Sequence, residues 1–355
     1  MLIKLILFLV IFSIIVLVHE GGHCIIGKRS GINVVEFSIG LGPTIWGFER
    51  GGTKYSIKAL PFGGVCQFEG MDPDGEDDEG DGAALSPHSM LNAPLWSRIA
   101  TVSAGPIMNF VLAFFLSLFV IGSMGYDEPV ISGVMEGYPA AEAGIQAGDK
   151  IVKIGSKHID VYRDISLYML LNESKTARIT FERDGEIQTV DVTPKLDEES
   201  GRYLFGLYGA GERVKGNVLD TVYYSVVEVR YWIEATWKSL GMIFAGRVTM
   251  DDVAGPVGVA QTVGEVYDAS KSSGIFYIWI NMMELTILLT ANLGVMNLLP
   301  FPALDGGRLV FLFIELITRR KVNRKIEAVV HFVGMCVLLV FMVFVLYNDV
   351  SKFFR

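Results

Sequence analysis

Two histidines and a glutamate stand together in the segment VLVHEGGHCII, residues 16–26, where the preceding residues are almost all apolar. His19, Glu20, two glycines and His23 form the pattern HExxH. On a helix, residues four apart share a face, so both imidazoles can reach one metal ion. Zinc suits two nitrogen donors and a carboxylate, with one position left for a water whose pKa it lowers toward about 7. The pattern therefore predicts hydrolytic zinc chemistry, with Glu20 as general base.

The alternative is a pair of ordinary histidines at a membrane boundary. That interpretation must explain three polar side chains in an apolar helix, each of which is costly in lipid. The chain has five histidines, and two of them flank a glutamate at this spacing. We therefore interpret His19 and His23 as ligands of one zinc ion.

A zinc site of this kind needs a third protein ligand. The other histidines lie in an outer segment, in a loop and near the start of the last apolar run; they are His158, His88 and His331, respectively. The better candidate is Asp305, in the segment NLLPFPALDGG. Pro300 and Pro302 interrupt helical hydrogen bonding, which a membrane tolerates only where protein or a watery cavity satisfies the backbone. A lone acid at a helix end is often only a cap, but this setting favours a ligand.

Two asparagines lie inside apolar runs. Asn109, in the segment SAGPIMNFVLA, should point into the helix bundle, where its amide could bind the backbone of a substrate. The alternative is helix–helix contact built on Ala104 and Gly105, beside a kink at Pro106. Asn297 carries the same ambiguity in the third run. The residue types alone do not choose between these roles.

Four long apolar runs must position these groups. They cover residues 5–18, 99–126, 275–304 and 332–348, the last extending back to 326. Each approaches the roughly 20 residues that cross a bilayer, and charged residues make up only 19% of the chain. We expect a polytopic α-helical membrane protein with about four spanning helices. A signal peptide is the less favoured interpretation of the first run, because no small-residue cleavage site follows it.

Basic residues near the ends of these runs indicate their orientation. The connection between the third and fourth runs carries Arg308, Arg319, Arg320, Lys321, Arg324 and Lys325. Because lysine and arginine concentrate on the cytoplasmic side, this connection and the loop 28–97 should face the cytoplasm. Both termini and the segment 127–270 would then lie outside, with Lys4 as a minor conflict. The HExxH cluster would lie toward the cytoplasmic end of the first helix.

Charge and cysteine content exclude several other classes of site. The net charge of −9 argues against nucleic acid as a partner. The three cysteines are scattered without CxxC spacing, so neither a disulfide framework nor a cysteine zinc site is indicated. The acidic block 72–82 places Asp77 and Ala83 where a calcium loop needs glycine and glutamate. We interpret this block as a solvated, mobile loop.

The segments between the apolar runs predict two folded regions. Residues 37–71 alternate around Gly51 and Gly52, which predicts two or three short strands with a tight hairpin. Residues 126–206 contain strand-like stretches, a helical stretch over 162–172 and an Asp-Gly turn, which predicts one small α+β domain. Residues 218–245 predict an amphipathic helix near the membrane surface, or alternatively a helix packed on the small domain.

Together these residues resemble the site-2 protease family of intramembrane zinc metalloproteases, most nearly its bacterial RseP-like branch. The resemblance covers nearly the whole chain, with its motifs in the family's order. The motifs are HExxH at 19–23, GPIMN at 105–109, GYPAAEAGIQAGDKI at 137–151, AGPVGVAQ at 254–261 and NLLPFPALDGG at 297–307. The third of them is similar to the peptide-binding region of a bacterial PDZ domain.

The resemblance implies roles for individual residues. The zinc ligands would be His19, His23 and Asp305, holding one ion per chain. The catalytic base would be Glu20. The substrate-binding residues would be Asn109, Asn297, Pro300 and Pro302. The strands near 53–69 would form a cytoplasmic, membrane-associated β-hairpin that presents the substrate in extended form by strand addition.

The expected organisation has four parts. Residues 1–125 form an N-terminal membrane part, 126–206 an extracytoplasmic PDZ domain, 207–274 a linker with the amphipathic helix, and 275–355 a C-terminal membrane part. Two features depart from the family pattern. A glycine, Gly21, stands where a bulky residue is usual, and only one PDZ domain fits where well-known members have two.

The function so implied is that of a zinc metalloendopeptidase in the bacterial inner or plasma membrane. It would cut single-pass proteins within or near their spanning helix after an earlier cut outside, with anti-sigma factors and remnant signal peptides as substrate classes. The bilayer and new peptide C-termini at the PDZ domain would be further partners. The rivals are a non-catalytic PDZ scaffold and a metal transporter with a vestigial site. Neither rival needs Glu20 beside the ligands.

Overall fold

The computed structural model describes most of the chain in two compact units. It describes residues 2–71, 86–172, 174–198, 201–209, 213–247 and 254–352. The acidic block 72–82 lies outside the described residues, so its prediction as a solvated loop stays a prediction. The first unit comprises residues 1–116 and 240–355, and the second comprises residues 117–239.

Helices dominate the first unit, and the strands are shared between the two units. The helices in the described part of the chain are α1 Leu2–Arg29, α2 Leu95–Met124, α3 Pro139–Glu142, α4 Tyr162–Leu171, α5 Val218–Phe244, α6 Pro256–Lys271, α7 Ile275–Asn297, α8 Asp305–Thr318 and α9 Arg324–Ser351. The strands are β1 Val34–Arg50, β2 Thr53–Phe68, β3 Lys150–Ile154, β4 Lys157–His158, β5 Ala177–Arg183, β6 Glu186–Val192, β7 Lys195–Asp197 and β8 Arg202–Leu204.

Four helices are long and apolar enough to cross a membrane, namely α1, α2, α7 and α9. Each of them overlaps one of the four predicted runs, which confirms the prediction of four long apolar helices. Large apolar side chains on them are exposed, among them Ile3 on α1, Phe115 on α2 and Val340 on α9. Exposed apolar surface of this extent on long helices is what a lipid-facing surface requires, so the protein is a multi-pass membrane protein.

The third run is shorter as a helix than its apolar composition predicts. Helix α7 ends at Asn297, whereas the apolar run continues to residue 304. Proline lacks a backbone N–H and clashes with the preceding turn, and Pro300 and Pro302 follow within five residues. The chain becomes helical again only at Asp305, the first residue of α8.

Helix α6 has no counterpart among the predicted elements, yet it packs against α1, α7 and α9. Val263 of α6 is fully buried in a cluster with Phe8 and Ile11 of α1. Asp349 of α9 accepts hydrogen bonds from the backbone N–H groups of residues 255 and 258, which satisfies the start of α6. Lys4 forms an ion pair with the α6 residue Asp268, so the basic residue that conflicted with the orientation rule has an acidic partner.

Strands β1 and β2 form a hairpin closed by Gly51 and Gly52, whose φ angles are 59° and 74°. Two positive φ angles are what a tight primed turn requires, so the predicted hairpin is confirmed. Its two strands are longer than the short strands predicted. The pairing contains repeated register shifts, and residues 36–39 have partners both at 54–57 and at 64–67.

The second unit contains the predicted small α+β domain. Its four-stranded sheet has the order β4-β3-β5-β6, and β7 pairs with β8. The predicted Asp-Gly turn joins β5 to β6, with positive φ at Asp184 and Gly185. Ile151, Ile179 and Phe181 are almost fully buried and centre the core. Along β5, buried and more exposed residues alternate, so that Ile179 and Phe181 both point into the core.

Helix α5 agrees closely with the amphipathic helix predicted at 218–245. Its polar face contacts the small domain, where Glu228 pairs with Arg163 and Tyr223 donates a 2.9 Å hydrogen bond to Asp160. Arg230 forms a second ion pair with Asp160. These contacts correspond to the alternative in which the helix packs on the small domain.

Candidate metal centre

His19 and His23 lie one turn apart on α1, and both side chains are buried. Their Nε2 atoms are 3.3 Å apart. Oδ2 of Asp305 lies 3.2 Å from Nε2 of His19 and 3.4 Å from Nε2 of His23. The fold therefore brings the three predicted ligands together from opposite ends of the chain. Among the described residues they form the one group of three such side chains close enough to share a metal ion.

The distances among these donors fit zinc. Ligand atoms about 2.0–2.2 Å from a tetrahedral zinc ion are about 3.3–3.6 Å apart, and the three separations of 3.2, 3.3 and 3.4 Å lie in or next to that range. Oδ2 of Asp305 is also buried and has no hydrogen-bond donor in suitable geometry among the described residues. A buried carboxylate oxygen is costly without a compensating charge. The donor set thus suits a small divalent cation, and its two imidazoles and one carboxylate are ligands that zinc accepts.

His23 is held with its Nε2 atom toward the other two donors. Its Nδ1 lies 2.8 Å from the backbone carbonyl oxygen of Thr101 on α2. A carbonyl oxygen can only accept, so Nδ1 carries the proton and donates it. The lone pair of neutral His23 is then on Nε2, where a metal would be bound. Ligating histidines usually have such an outer hydrogen bond.

Asn109 contacts His19 in an equivalent way. Its amide is fully buried, and its Nδ2 lies 3.2 Å from Nδ1 of His19. A half-turn of the amide places Oδ1 at this position instead. Oδ1 can then accept the proton of Nδ1, which leaves the lone pair of His19 on Nε2. The side chain predicted to bind substrate therefore lies where it can orient a ligand.

Helices α1 and α2 approach each other through glycines beside the histidines. A β-carbon on Gly105 would lie 2.2 Å from Nε2 of His23, and one on Gly22 would lie 2.5 Å from the carbonyl oxygen of Ala104. Gly21, by contrast, has nothing within 4 Å of that position. The helix contact at Ala104 and Gly105 and the inward position of Asn109 therefore occur together, although the sequence presents them as alternatives.

A tight loop between α7 and α8 delivers Asp305. A β-carbon on Gly306 would lie 2.1 Å from the carbonyl oxygen of Leu299, and one on Gly307 would lie 2.3 Å from that of Phe301. Only glycine allows the first turn of α8 to approach the loop this closely.

Glu20 follows His19 on α1 and is partly exposed. It faces the hairpin, because a β-carbon on Gly64 of β2 would lie 3.0 Å from Cγ of Glu20 and 2.9 Å from Cγ1 of Val16. The hairpin strand therefore passes directly beside the predicted base. Sequence reasoning missed Gly64, since a glycine in a strand pattern indicates only that some backbone approaches closely.

The other predicted substrate-binding residues lie on the loop that leads to Asp305. Asn297 is the last residue of α7 and is partly buried. Pro300 is exposed, and Pro302 packs against α9, where a β-carbon on Gly334 would lie 2.4 Å from its Cβ. Their contact with a substrate stays a prediction.

The remaining histidines have other partners. Nδ1 of His88 lies 3.0 Å from the carbonyl oxygen of Gly31, and His158 lies beside Asp160 in the second unit. His331 contacts the backbone of Ala303, two residues before Asp305. The sequence suggested His331 only as a possible metal ligand. Its contact with Ala303 could not be predicted, because a lone histidine in an apolar run does not indicate which backbone it meets.

Comparison with known proteins gives one family over almost the whole chain. The family model for peptidase family M50 matches residues 7–341. Zinc metalloprotease RasP of Bacillus licheniformis is 31% identical, with 98% of each chain covered. Regulator of sigma-W protease RasP of Bacillus subtilis is 29% identical, again with 98% of each covered. The solved PDZ domain of an SdrC-like protein from Listeria monocytogenes is 21% identical over 23% of this chain and 86% of that one, with a TM-score of 0.21.

Proposed function

Because the chain belongs to peptidase family M50 and is a zinc metalloprotease, we propose that it hydrolyses peptide bonds in or near the membrane-spanning helix of single-pass proteins. The observation that carries the proposal is the convergence of His19, His23 and Asp305 within a bundle of helices long enough to cross a membrane. A soluble peptidase would have no need to bury its site between such helices.

In this proposal His19, His23 and Asp305 hold one zinc ion per chain, oriented by Asn109 and the carbonyl oxygen of Thr101. When bound, zinc supplies a Lewis acid for the scissile carbonyl and makes water a nucleophile at neutral pH. Glu20 accepts the proton of the attacking water and passes it to the leaving amine. Burial of the two histidines lowers the local polarity, which would strengthen these electrostatic interactions.

The hairpin would present the substrate. Gly64 brings β2 against Glu20, so a peptide that aligns with this strand passes the base in extended form. Extension matters because the carbonyl and amide of a helical peptide bond are shielded by their own hydrogen bonds. Asn297, Pro300 and Pro302 would contact the same peptide from the loop before Asp305. Asn109, predicted to bind the substrate, would also act through its contact with His19.

The bacterial plasma membrane is the proposed location, with the site toward the cytoplasm and the small domain outside. The basic residues between α7 and α9 support this orientation. The small domain is proposed as a PDZ domain that filters substrates by size or binds new C-termini. Anti-sigma factors and remnant signal peptides are the proposed substrates, and the name of the Bacillus subtilis relative, a regulator of sigma-W, supports the first class.

The test uses the full chain, purified in detergent and incubated with a model single-span substrate. Zinc content and cleavage are measured for the native protein and for Glu20→Gln. We expect about one zinc per chain in both proteins, and cleavage lower by about 10²–10⁴-fold in the variant. Equal cleavage by both, or none by either with zinc bound, would contradict the proposal. Zinc flux into vesicles, unaffected by Glu20→Gln, would instead favour the transporter.

A further inference from the structure

The loop before Asp305 contains a strained residue. Ala303 has a φ of 77°, in the left-handed region that residues with a β-carbon seldom adopt. Strain of this kind persists only where the surroundings hold it, and it concentrates at functional sites. Ala303 is two residues before Asp305, so its conformation sets the direction in which the chain enters α8. Some contact must therefore hold Ala303 in this conformation.

That contact comes from His331 on α9. The backbone N–H of Ala303 donates a hydrogen bond of 2.9 Å to Nδ1 of His331. Because a backbone amide can only donate, Nδ1 is the acceptor, and the proton of the neutral imidazole is on Nε2. The ring also contacts Phe311 of α8, with ring centroids 5.6 Å apart. His331 thus joins α9 both to the loop and to the helix that Asp305 begins.

A second contact, one turn further along α9, presses on the same loop. A β-carbon on Gly334 would lie 2.4 Å from Cβ of Pro302 and 2.7 Å from its carbonyl oxygen. Pro302 directly precedes Ala303, so α9 touches two consecutive residues of the loop. The Nε2 atom of His331 is buried and has no hydrogen-bond partner among the described residues. The hydrogen bond from Ala303 to Nδ1 is therefore the polar contact that this ring makes among the described residues.

We infer that His331 is a positioning residue that holds the left-handed turn at Ala303 and thereby delivers Asp305 to the zinc site. It acts through the loop backbone and does not touch the metal or the substrate. The inference rests on the zinc site of the proposed function and adds a residue to it. Gly306 and Gly307 hold the far side of the same loop by close approach, so His331 completes the support of Asp305 from α9.

Three variants of the full chain separate this role from a general contribution to folding. His331→Leu removes the acceptor and retains an apolar side chain of similar size. His331→Asn places an oxygen acceptor near the position of Nδ1. His331→Leu combined with Ala303→Gly removes the acceptor but makes the left-handed turn accessible without strain, because glycine adopts positive φ readily. Phe332→Leu, at an exposed neighbour on α9, is the matched control.

The measurement is the zinc dissociation constant, obtained by competition with a chelator in detergent. We expect His331→Leu to weaken zinc binding by about tenfold, the lower end for residues that orient metal ligands. His331→Asn and the double variant should recover most of that loss, and Phe332→Leu should bind as the native protein does. The visible spectrum of the cobalt-substituted proteins should change in His331→Leu and recover with the affinity.

The outcomes separate this inference from the proposed function. Native zinc affinity in His331→Leu would overturn it. Equal weakening in all three His331 variants would also overturn it, because that result indicates a structural role of the imidazole rather than support of Ala303. If His331→Leu does not fold, near-native zinc affinity in His331→Asn and in the double variant supports the inference, and equally weakened affinity in both overturns it. Absence of zinc from the native protein would instead contradict the zinc site itself.

Discussion

The two halves of the metal site are built by different means. The histidine half lies on the regular helix α1, where spacing alone places His19 and His23 on one face. The carboxylate half lies on an irregular loop that contains two prolines and a residue at positive φ. Neighbouring α2 contacts the first half through glycine, a carbonyl oxygen and Asn109. Helix α9 contacts the second through His331 and Gly334.

The difference shows what each half depends on. A helix supplies its own backbone hydrogen bonds, so the histidine half needs only a close neighbour and a correct tautomer. The loop has lost helical hydrogen bonds at its prolines, so the carboxylate half needs contacts from other elements to hold one conformation. Substitutions in the first half should therefore act through close contact and ring orientation, and those in the second through the loop backbone.

The largest effect in the histidine half should come from Gly22→Ala. The added methyl would meet the carbonyl oxygen of Ala104 at 2.5 Å and Cγ of Met108 at 2.8 Å. We expect α1 and α2 to separate, which costs about 1–3 kcal/mol and abolishes stoichiometric zinc binding. Thermal unfolding in detergent and zinc content measure both effects.

The matched control is Gly21→Ala, which adds the same methyl where nothing lies within 4 Å. Alanine favours a helix over glycine by about 1 kcal/mol, so this variant should bind zinc normally and be as stable as the native protein or more so. Equal behaviour of the two variants would show that the glycines act through helix flexibility and not through the contact with α2.

A smaller effect is expected from Asn109→Leu. The variant removes the polar partner of Nδ1 of His19 while preserving a buried side chain of similar size. We expect zinc affinity to fall by about tenfold, whereas Asn109→Asp should retain most of the affinity because a carboxylate also accepts from Nδ1. Chelator competition measures both. Unchanged affinity in Asn109→Leu would indicate that helix α1 orients His19 without help from α2.

The smallest effect should come from Arg230→Ala in the second unit. There the contact between Arg230 and Asp160 is an ion pair, and neither a close glycine contact nor a strained loop is involved. Burial alone would raise the pKa of Asp160, but hydrogen bonds from Arg230 and Tyr223 outweigh it and hold that pKa below its ordinary value of 3.8. A carboxyl group whose pKa is lower in the folded state stabilises that state at pH values above its ordinary pKa. This contribution is lost as the pH falls through the pKa of the folded state. Because Arg230 is 47% exposed, we expect Arg230→Ala to cost about 1 kcal/mol or less near neutral pH.

Hydrogen exchange in strands β3 and β5 of the full chain measures this effect. The difference between Arg230→Ala and the native protein should be present at pH 7 and should shrink below about pH 4, near the ordinary pKa of aspartate. Zinc content at pH 7 should be unchanged. A difference that grows as the pH falls would have the wrong sign and would contradict the role of Asp160 as a charged partner.

Much of the architecture followed from local pattern. The four apolar runs, the Gly-Gly and Asp-Gly turns and the helix at 162–171 all occur where the residues predicted them. Helix α6 was missed, because its start is satisfied by Asp349 from the far end of the chain. The length of β1 and β2 was also missed, since register shifts arise from pairing between segments and have no local signal.

The sequence by itself determined the histidine half of the site, since helical period and residue type place His19, Glu20 and His23 regardless of what surrounds them. It also identified Asp305, through prolines and glycines that no uninterrupted helix would contain. Only the tertiary structure showed that Gly22 has a close neighbour on α2 while Gly21 has none, and that Asn109 and His331 contact the candidate site from other helices. The physical reason is that close approach and outer hydrogen bonds depend on distances between elements far apart in the chain, whereas periodicity is a property of one element.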